Sequence, residues 1–140
     1  MQHQLELMQV PARRPRVLVA EDEAEMRSLI ARTLRKEQCD IVEARDGTQL
    51  IRLLLTHLLS PGEGRDPVDL IISDIRMPGA NGLDVVSALR RQDTQTPVIL
   101  ITAFGDAETH LEAYRLGAVM LLNKPFDMED LRLVVRSLVE

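Results

Sequence analysis

Five side chains in this sequence could do chemistry together. Glu21 and Asp22 directly follow the apolar run RVLVA, Asp74 follows VDLIIS, Thr102 ends PVILIT, and Lys124 follows a last apolar run, AVMLL, and Asn123. Three carboxylates brought to one place repel one another and raise one another's pKa values unless a cation holds them ionised. A hard divalent cation is implied, and magnesium fits, because it takes oxygen ligands octahedrally and keeps several waters. A threonine hydroxyl and a lysine point charge suit the equatorial oxygens of a phosphoryl group in transfer. Asp74 then becomes the nucleophile, since a carboxylate that attacks phosphorus forms an acyl phosphate.

These residues meet only if the chain between them folds in one particular way. The apolar runs at 16–20, 40–44, 68–73, 97–102 and 118–122 have the aliphatic, β-branched character of strands buried on both faces. Between them lie stretches with helical periodicity. Met26, Leu29, Ile30, Thr33 and Leu34 mark the first, and Leu50, Leu53, Leu54, His57 and Leu58 the second, whose apolar face Ile51, Leu55 and Leu59 widen as extra core under the long connection at 60–67. A third helix is expected from about Gly82 to Gln92 with Leu83, Val86 and Leu89 inward. A fourth is expected near Asp106 to Leu116, and a fifth closes the chain with Leu131, Val134, Val135 and Leu138. Strict alternation of strand and helix predicts a doubly wound α/β domain, a parallel sheet with helices on both faces. In such a sheet ligands sit outside the carboxyl ends of the strands, which is where all five reactive residues fall. Met77 and Pro78 read as packing within the loop after Asp74, whose glycines and proline let the backbone curl round the site.

Length and charge narrow the function further. A chain of 140 residues with 45% hydrophobic content makes one well-cored domain, expected over residues 16–140 behind a flexible tail at 1–15. The net charge of −5 argues against direct nucleic-acid binding; Arg13, Arg14 and Arg16 form a small basic spot read as a solvated tail. Phe104, Tyr114 and Phe126 are too few to stack bases. Cys39 is the single cysteine, which suits a reducing cytoplasm. No run reaches membrane-spanning length. His3, His57 and His110 share no motif and are assigned neither to metal nor to phosphotransfer.

In its motifs the chain resembles the receiver domain of two-component response regulators. The acidic pair ED (21–22), DIRMPGANG (74–82), ITA (101–103) and KPF (124–126) stand in that family's order, and the likeness covers Arg16 to Val139. It implies a flavodoxin-like five-stranded sheet of order 2-1-3-4-5 and phosphorylation of Asp74 by the phosphohistidine of a sensor histidine kinase. Magnesium would be bound by Asp22, Asp74 and the backbone carbonyl of Arg76, with Glu21 acting through a water. Thr102 and Lys124 would contact the phosphoryl group, and the Lys124–Pro125 bond would be cis. Arg76 and Phe104, two residues beyond Asp74 and Thr102, would flank the route of the water that hydrolyses the acyl phosphate. The partner face would be the fifth strand with the fourth and fifth helices, used for homodimerisation or for docking a downstream protein. Such a domain catalyses only its own phosphorylation and dephosphorylation. Three places depart from the pattern: Leu121 stands where an aromatic is usual, Met120 where an acid is usual, and the connection before the third strand is long. Met120 and Leu121, flanked by Arg115, Glu129 and Arg132, read either as the apolar centre of that partner face or as plain packing.

Two other functions stay open at this level. A phosphatase of the haloacid dehalogenase type also uses a nucleophilic aspartate, a threonine or serine and a lysine, but wants an acid two residues after the nucleophile, where this chain has Arg76. A degenerate receiver would work as a binding module without phosphorylation, against which the intact acid, hydroxyl and lysine set argues.

Overall fold

In the computed structural model, residues 13–57, 67–92 and 95–139 are described. Five strands, β1 (Arg16–Ala20), β2 (Asp40–Ala44), β3 (Leu70–Asp74), β4 (Val98–Thr102) and β5 (Met120–Asn123), alternate with five helices. These are α1 (Ala24–Arg35), α2 (Gly47–His57), α3 (Gly82–Gln92), α4 (Ala107–Arg115) and α5 (Met128–Val139). Every neighbouring pair in the main sheet is parallel, and the order is 2-1-3-4-5. The expected doubly wound architecture is therefore present.

Alternation along the strands splits the core in two, because successive side chains point to opposite faces. Val17, Val19, Leu70, Ile72, Ile99 and Ile101 pack with Ile30 and Leu34 of α1 and with Leu131 and Val135 of α5. Leu18, Ala20, Ile71 and Leu100 pack with Leu50 and Leu54 of α2, Val86 and Leu89 of α3 and Ala113 of α4. The chain steps from β1 outward to β2 and then returns to place β3 on β1's other side. That reversal opens the crevice at the carboxyl ends of β1 and β3, the point at which ligands bind in open α/β sheets.

Polar side chains fix where four of the five helices begin; α1 starts after Glu23 with no side-chain cap. Asp106 Oδ1 caps α4 by accepting from the Thr109 amide at 2.8 Å, and Asp46, Asn81 and Asp127 accept in the same manner at the starts of α2, α3 and α5. Each such cap contributes about 1 kcal/mol.

Several expectations are corrected. Leu29 is exposed, and Ala31 takes its place in the core beside Ile30, because the 100° step per residue carries position 29 to the outer edge of the buried stripe. Ile51 and Leu55 are not extra core: both are exposed and line an open groove between α2 and α3. Leu58, Leu59 and the connection through residue 66 lie outside the described residues. β5 begins at Met120 rather than Ala118, since Ala118 still donates to the Ala113 carbonyl at the end of α4 and Gly117 turns with φ +77°. β3 runs on to include Asp74, so the candidate nucleophile sits in the ladder itself, opposite Ile101.

The basic spot is not simply solvated. Arg13 grips Asp69 with two hydrogen bonds of 2.7 and 2.9 Å, and Asp69 also accepts from the Arg16 amide at 2.7 Å. Residues 1–12 lie outside the described residues. Burial pushes the Asp69 carboxyl up, but the bonds from Arg13 and Arg16 outweigh it, and the net direction is down. A depressed carboxyl contributes stability that is present above the unfolded-state pKa of about 3.9 and is lost as pH falls through the folded value. Asp69→Ala should cost about 1–2 kcal/mol at pH 7, from one partly exposed ion pair and one backbone bond. Urea unfolding should show that gap closing below pH 4; a gap independent of pH would assign the loss to packing instead.

Candidate functional site

Asp74 is almost fully buried at the end of β3. The chain leaves it through Ile75 and folds straight back, because Arg76–Met77 pair with Ala80–Asn81 in a two-residue antiparallel ladder turned by Gly79 at φ +90°. Gly82 closes the loop with its amide 2.6 Å from the Ile75 carbonyl. A Cβ there would lie 2.5 Å from the Asp74 carbonyl oxygen, so only glycine lets α3 start this close to the acid. The Arg76 amide donates to Asp74 Oδ1 at 3.3 Å.

Lys124 arrives from the other side. Its amide donates to the Thr102 carbonyl at 2.8 Å, the Lys124–Pro125 bond is cis, and its ammonium donates to Asp74 Oδ2 at 2.8 Å. The same ammonium lies 2.6 Å from Glu21 Oε1, a buried oxygen with no other donor among the described residues. Burial pulls the Lys124 ammonium down, but the two carboxylates outweigh it and hold its pKa above the ordinary value.

Glu21 has no exposed surface, and its Oε2 accepts from the Glu23 amide at 3.2 Å. Burial pushes its carboxyl up to about 7, against the pull of Lys124 and the Glu23 amide, with Asp74 adding to the rise. Asp22 is exposed at the mouth. One carboxylate oxygen from each of Glu21, Asp22 and Asp74 lies within 4.8 Å of the others.

Three carboxylates against one ammonium leave two negative charges if all are ionised. That balance and the all-oxygen donor set fit a hard dication of the magnesium kind. Thr102 is buried at the end of β4, and its Oγ1 accepts from the Phe104 amide at 3.0 Å. The structure thus gathers Glu21, Asp22, Asp74 and Lys124 into one cluster, with Thr102 on the strand beside Asp74 and linked to Lys124 through the backbone.

Two pairings were not readable in the sequence. One is the Glu21–Lys124 contact. The other sets the Arg76 guanidinium over the Phe104 ring, 4.4 Å from its centroid. The resemblance sets 76 and 104 on either side of the water's route but not in contact with each other; the β3–β4 register, with Asp74 opposite Ile101, brings the loops after the two strands together.

On the proposed partner face, Leu121 packs against the core and Met120 is half-buried. The exposed apolar side chains nearby are instead Leu111, Tyr114 and Val119. Arg132 does not rim Met120 as expected: its guanidinium binds Glu129 and, at 2.5 Å, Glu37 just beyond α1, so it belongs to the α1 flank of α5.

The sequence and the architecture have counterparts. The family model described as the response regulator receiver domain matches residues 17–136. The response regulator protein PilR of Pseudomonas aeruginosa is 35% identical over 124 residues, which is 89% of this chain and 26% of PilR. The transcriptional regulatory protein CpxR of Escherichia coli is also 35% identical over 124 residues, 89% of this chain and 49% of CpxR. This chain therefore spans between a quarter and a half of the length of those relatives. Among solved structures, the receiver domain of the Francisella response regulator 1452 superposes with a TM-score of 0.78 at 30% identity, covering 89% of this chain and 96% of that one. With a flavodoxin-like fold of this strand order and a family match across most of its length, the chain belongs to the response regulator receiver domains of two-component signalling.

Proposed function

We propose that Asp74 is the phospho-acceptor of a signalling switch and takes its phosphoryl group from the phosphohistidine of a sensor histidine kinase. The observation that carries this is the Asp74 carboxylate, buried at the end of β3 and held 2.8 Å from Lys124 beside two further acids. An Asp74 oxygen attacks phosphorus, the phosphorus–nitrogen bond of the donor breaks, and the imidazole leaves with its electron pair and takes up a proton. The product is an acyl phosphate. Asp22, Asp74 and the Arg76 carbonyl would hold magnesium, with Glu21 acting through a water. When bound, magnesium supplies charge neutralisation at the phosphoryl oxygens. Lys124, already on Asp74, pairs with a phosphoryl oxygen, and the Thr102 hydroxyl donates to another. Hydrolysis by water restores the carboxylate and releases phosphate, so the domain acts only on itself and turns over no separate substrate.

Output would pass through the face formed by α4, β5 and α5 to a second copy or a downstream protein, and exposed Leu111, Tyr114 and Val119 supply apolar surface for it. Met120 and Leu121 then act from beneath that surface. CpxR is named a transcriptional regulatory protein; control of transcription is an output this domain could serve through a partner, since its own net charge of −5 does not favour nucleic acid. The receiver proper is assigned to residues 16–140 and the tail to 1–15, acting in the cytoplasm.

Incubation with acetyl phosphate and magnesium tests the chemistry. Acid-labile phosphate should accumulate to at most one per chain, without turnover of unrelated phosphate esters. Sustained ester hydrolysis would instead support a phosphatase, and no bound phosphate would support a binding module.

The lifetime of that phosphate gives a further prediction. Arg76 and Phe104 stand on the loops after the acceptor and after Thr102, where they flank the route of an attacking water. Replacing both residues with small polar ones, which removes a bulky ring and a cation from that route, should shorten the acyl-phosphate half-life several-fold, on the order of 1 kcal/mol of barrier. Decay of labelled protein would measure it. An unchanged half-life would show that shielding does not set the rate.

A further inference from the structure

The Arg76–Phe104 stack has a second consequence, which rests on Asp74 being the acceptor. Arg76 follows Asp74 by two residues, and its amide already donates to the Asp74 carboxylate. Its guanidinium lies over the Phe104 ring, 4.4 Å from the centroid. Phe104 is tied to the site as well, because its amide donates to the Thr102 hydroxyl oxygen. Just beyond it, Gly105 is pressed against Asn123 at the end of β5, where a Cβ would fall 1.6 Å from Asn123 Oδ1, and Asp106 caps α4. One ring, 60% exposed, therefore stands between the acceptor loop and the start of α4.

We infer that Arg76 is a phosphoryl-sensing residue with two alternative partners, the Phe104 ring when Asp74 is bare and the phosphoryl oxygens when Asp74 is modified.

The direction of the exchange follows from interaction strengths. A guanidinium over an exposed phenyl face is held weakly, by the ring quadrupole and here by the longer-range attraction of exposed Asp106. A phosphoryl group offers it charge-assisted, bidentate hydrogen bonds, which are stronger and more directional. Phosphorylation adds such a group two residues from Arg76, on the buried Asp74 carboxylate. The guanidinium leaves the ring. The Thr102 hydroxyl, turning to donate to the same group, changes the contact that holds the Phe104 amide. Both ties on Phe104 alter in one event, and the ring is freed beside the first turn of α4. Arg76 here is a positioning residue for the signal and not a group that bonds to phosphorus.

The chain contains no tryptophan, so Phe104→Trp creates a single fluorescent reporter at the ring position, and tryptophan is the best partner for a stacked cation. Its emission is followed while acetyl phosphate and magnesium load Asp74, with acid-labile phosphate measured on the same samples and beryllofluoride as a stable mimic. Emission should change in step with bound phosphate, and inorganic phosphate alone should leave it unchanged. In Phe104→Trp/Arg76→Leu the change per phosphorylated molecule should be lost, and in Phe104→Trp/Arg76→Lys it should return in part. A full change in the Arg76→Leu background, or none in the reporter despite bound phosphate, would overturn the exchange. Absence of acid-labile phosphate from the parent chain would instead overturn the assignment of Asp74 on which the exchange depends.

Discussion

Asp74→Asn should abolish stable phosphorylation while leaving the fold intact. Asparagine keeps the shape of the side chain and can still accept from the Arg76 amide, but an amide oxygen is a far poorer nucleophile than a carboxylate. The substitution also removes one of the charges crowding Glu21, and Lys124 keeps Glu21 as its partner. Lys124→Ala is expected to behave differently. It leaves Glu21 and Asp74 facing each other with no ammonium between them, and stripping one member from a buried ionic cluster typically costs about 3–5 kcal/mol. Since Lys124 retains some exposure, the lower end of that range is expected. The variant should still take phosphate when magnesium replaces the missing charge, but should respond to it weakly. Phosphate incorporation and urea unfolding, measured on both variants, separate the roles. Equal phosphate uptake by parent and Asp74→Asn would place the acceptor elsewhere.

Magnesium should stabilise this protein well beyond any general salt effect. A ligand that binds only the folded state at a hundredfold excess over its dissociation constant adds about 2.7 kcal/mol. The three acids offer a reason for that binding, and Glu21, whose burial alone favours its neutral form, is the group a cation would most help to ionise. Asp22→Ala should remove most of the gain, because Asp22 is the acid whose side chain reaches the exposed mouth of the cluster. Thermal unfolding with and without magnesium is the measurement. A melting temperature that rises equally in both proteins would contradict the site.

The sequence carried the architecture because it is written in local periodicity. Two-faced burial of β1, β3 and β4 leaves aliphatic runs with no polar interruption, and each run ends where chemistry begins. Asp74, Asp22, Thr102 and Lys124 were legible for the same reason: a residue ending a strand in a parallel sheet has one edge to go to. What could not be read depended on the third dimension. Leu29 and Ala31 differ by two steps on one helix, and only the angle at which α1 lies on the sheet decides which is buried. Ile51 and Leu55 extend an apolar face in sequence, yet the curvature between α2 and α3 leaves them at a groove. Arg132 is near Met120 by element order but is turned away by Glu37, 95 positions distant in the chain. The Arg76–Phe104 stack has the same character, since it exists through strand register and has no local signature.

The position of the phosphoryl group on the chain is the most direct test of Asp74 as the acceptor. Protein loaded with acetyl phosphate and magnesium, then reduced with borohydride and digested, converts a phosphorylated aspartate to homoserine, which mass spectrometry locates. Conversion is expected at Asp74 within the peptide spanning LIISDIR; conversion at Asp22, or at any aspartate other than Asp74, would contradict that assignment.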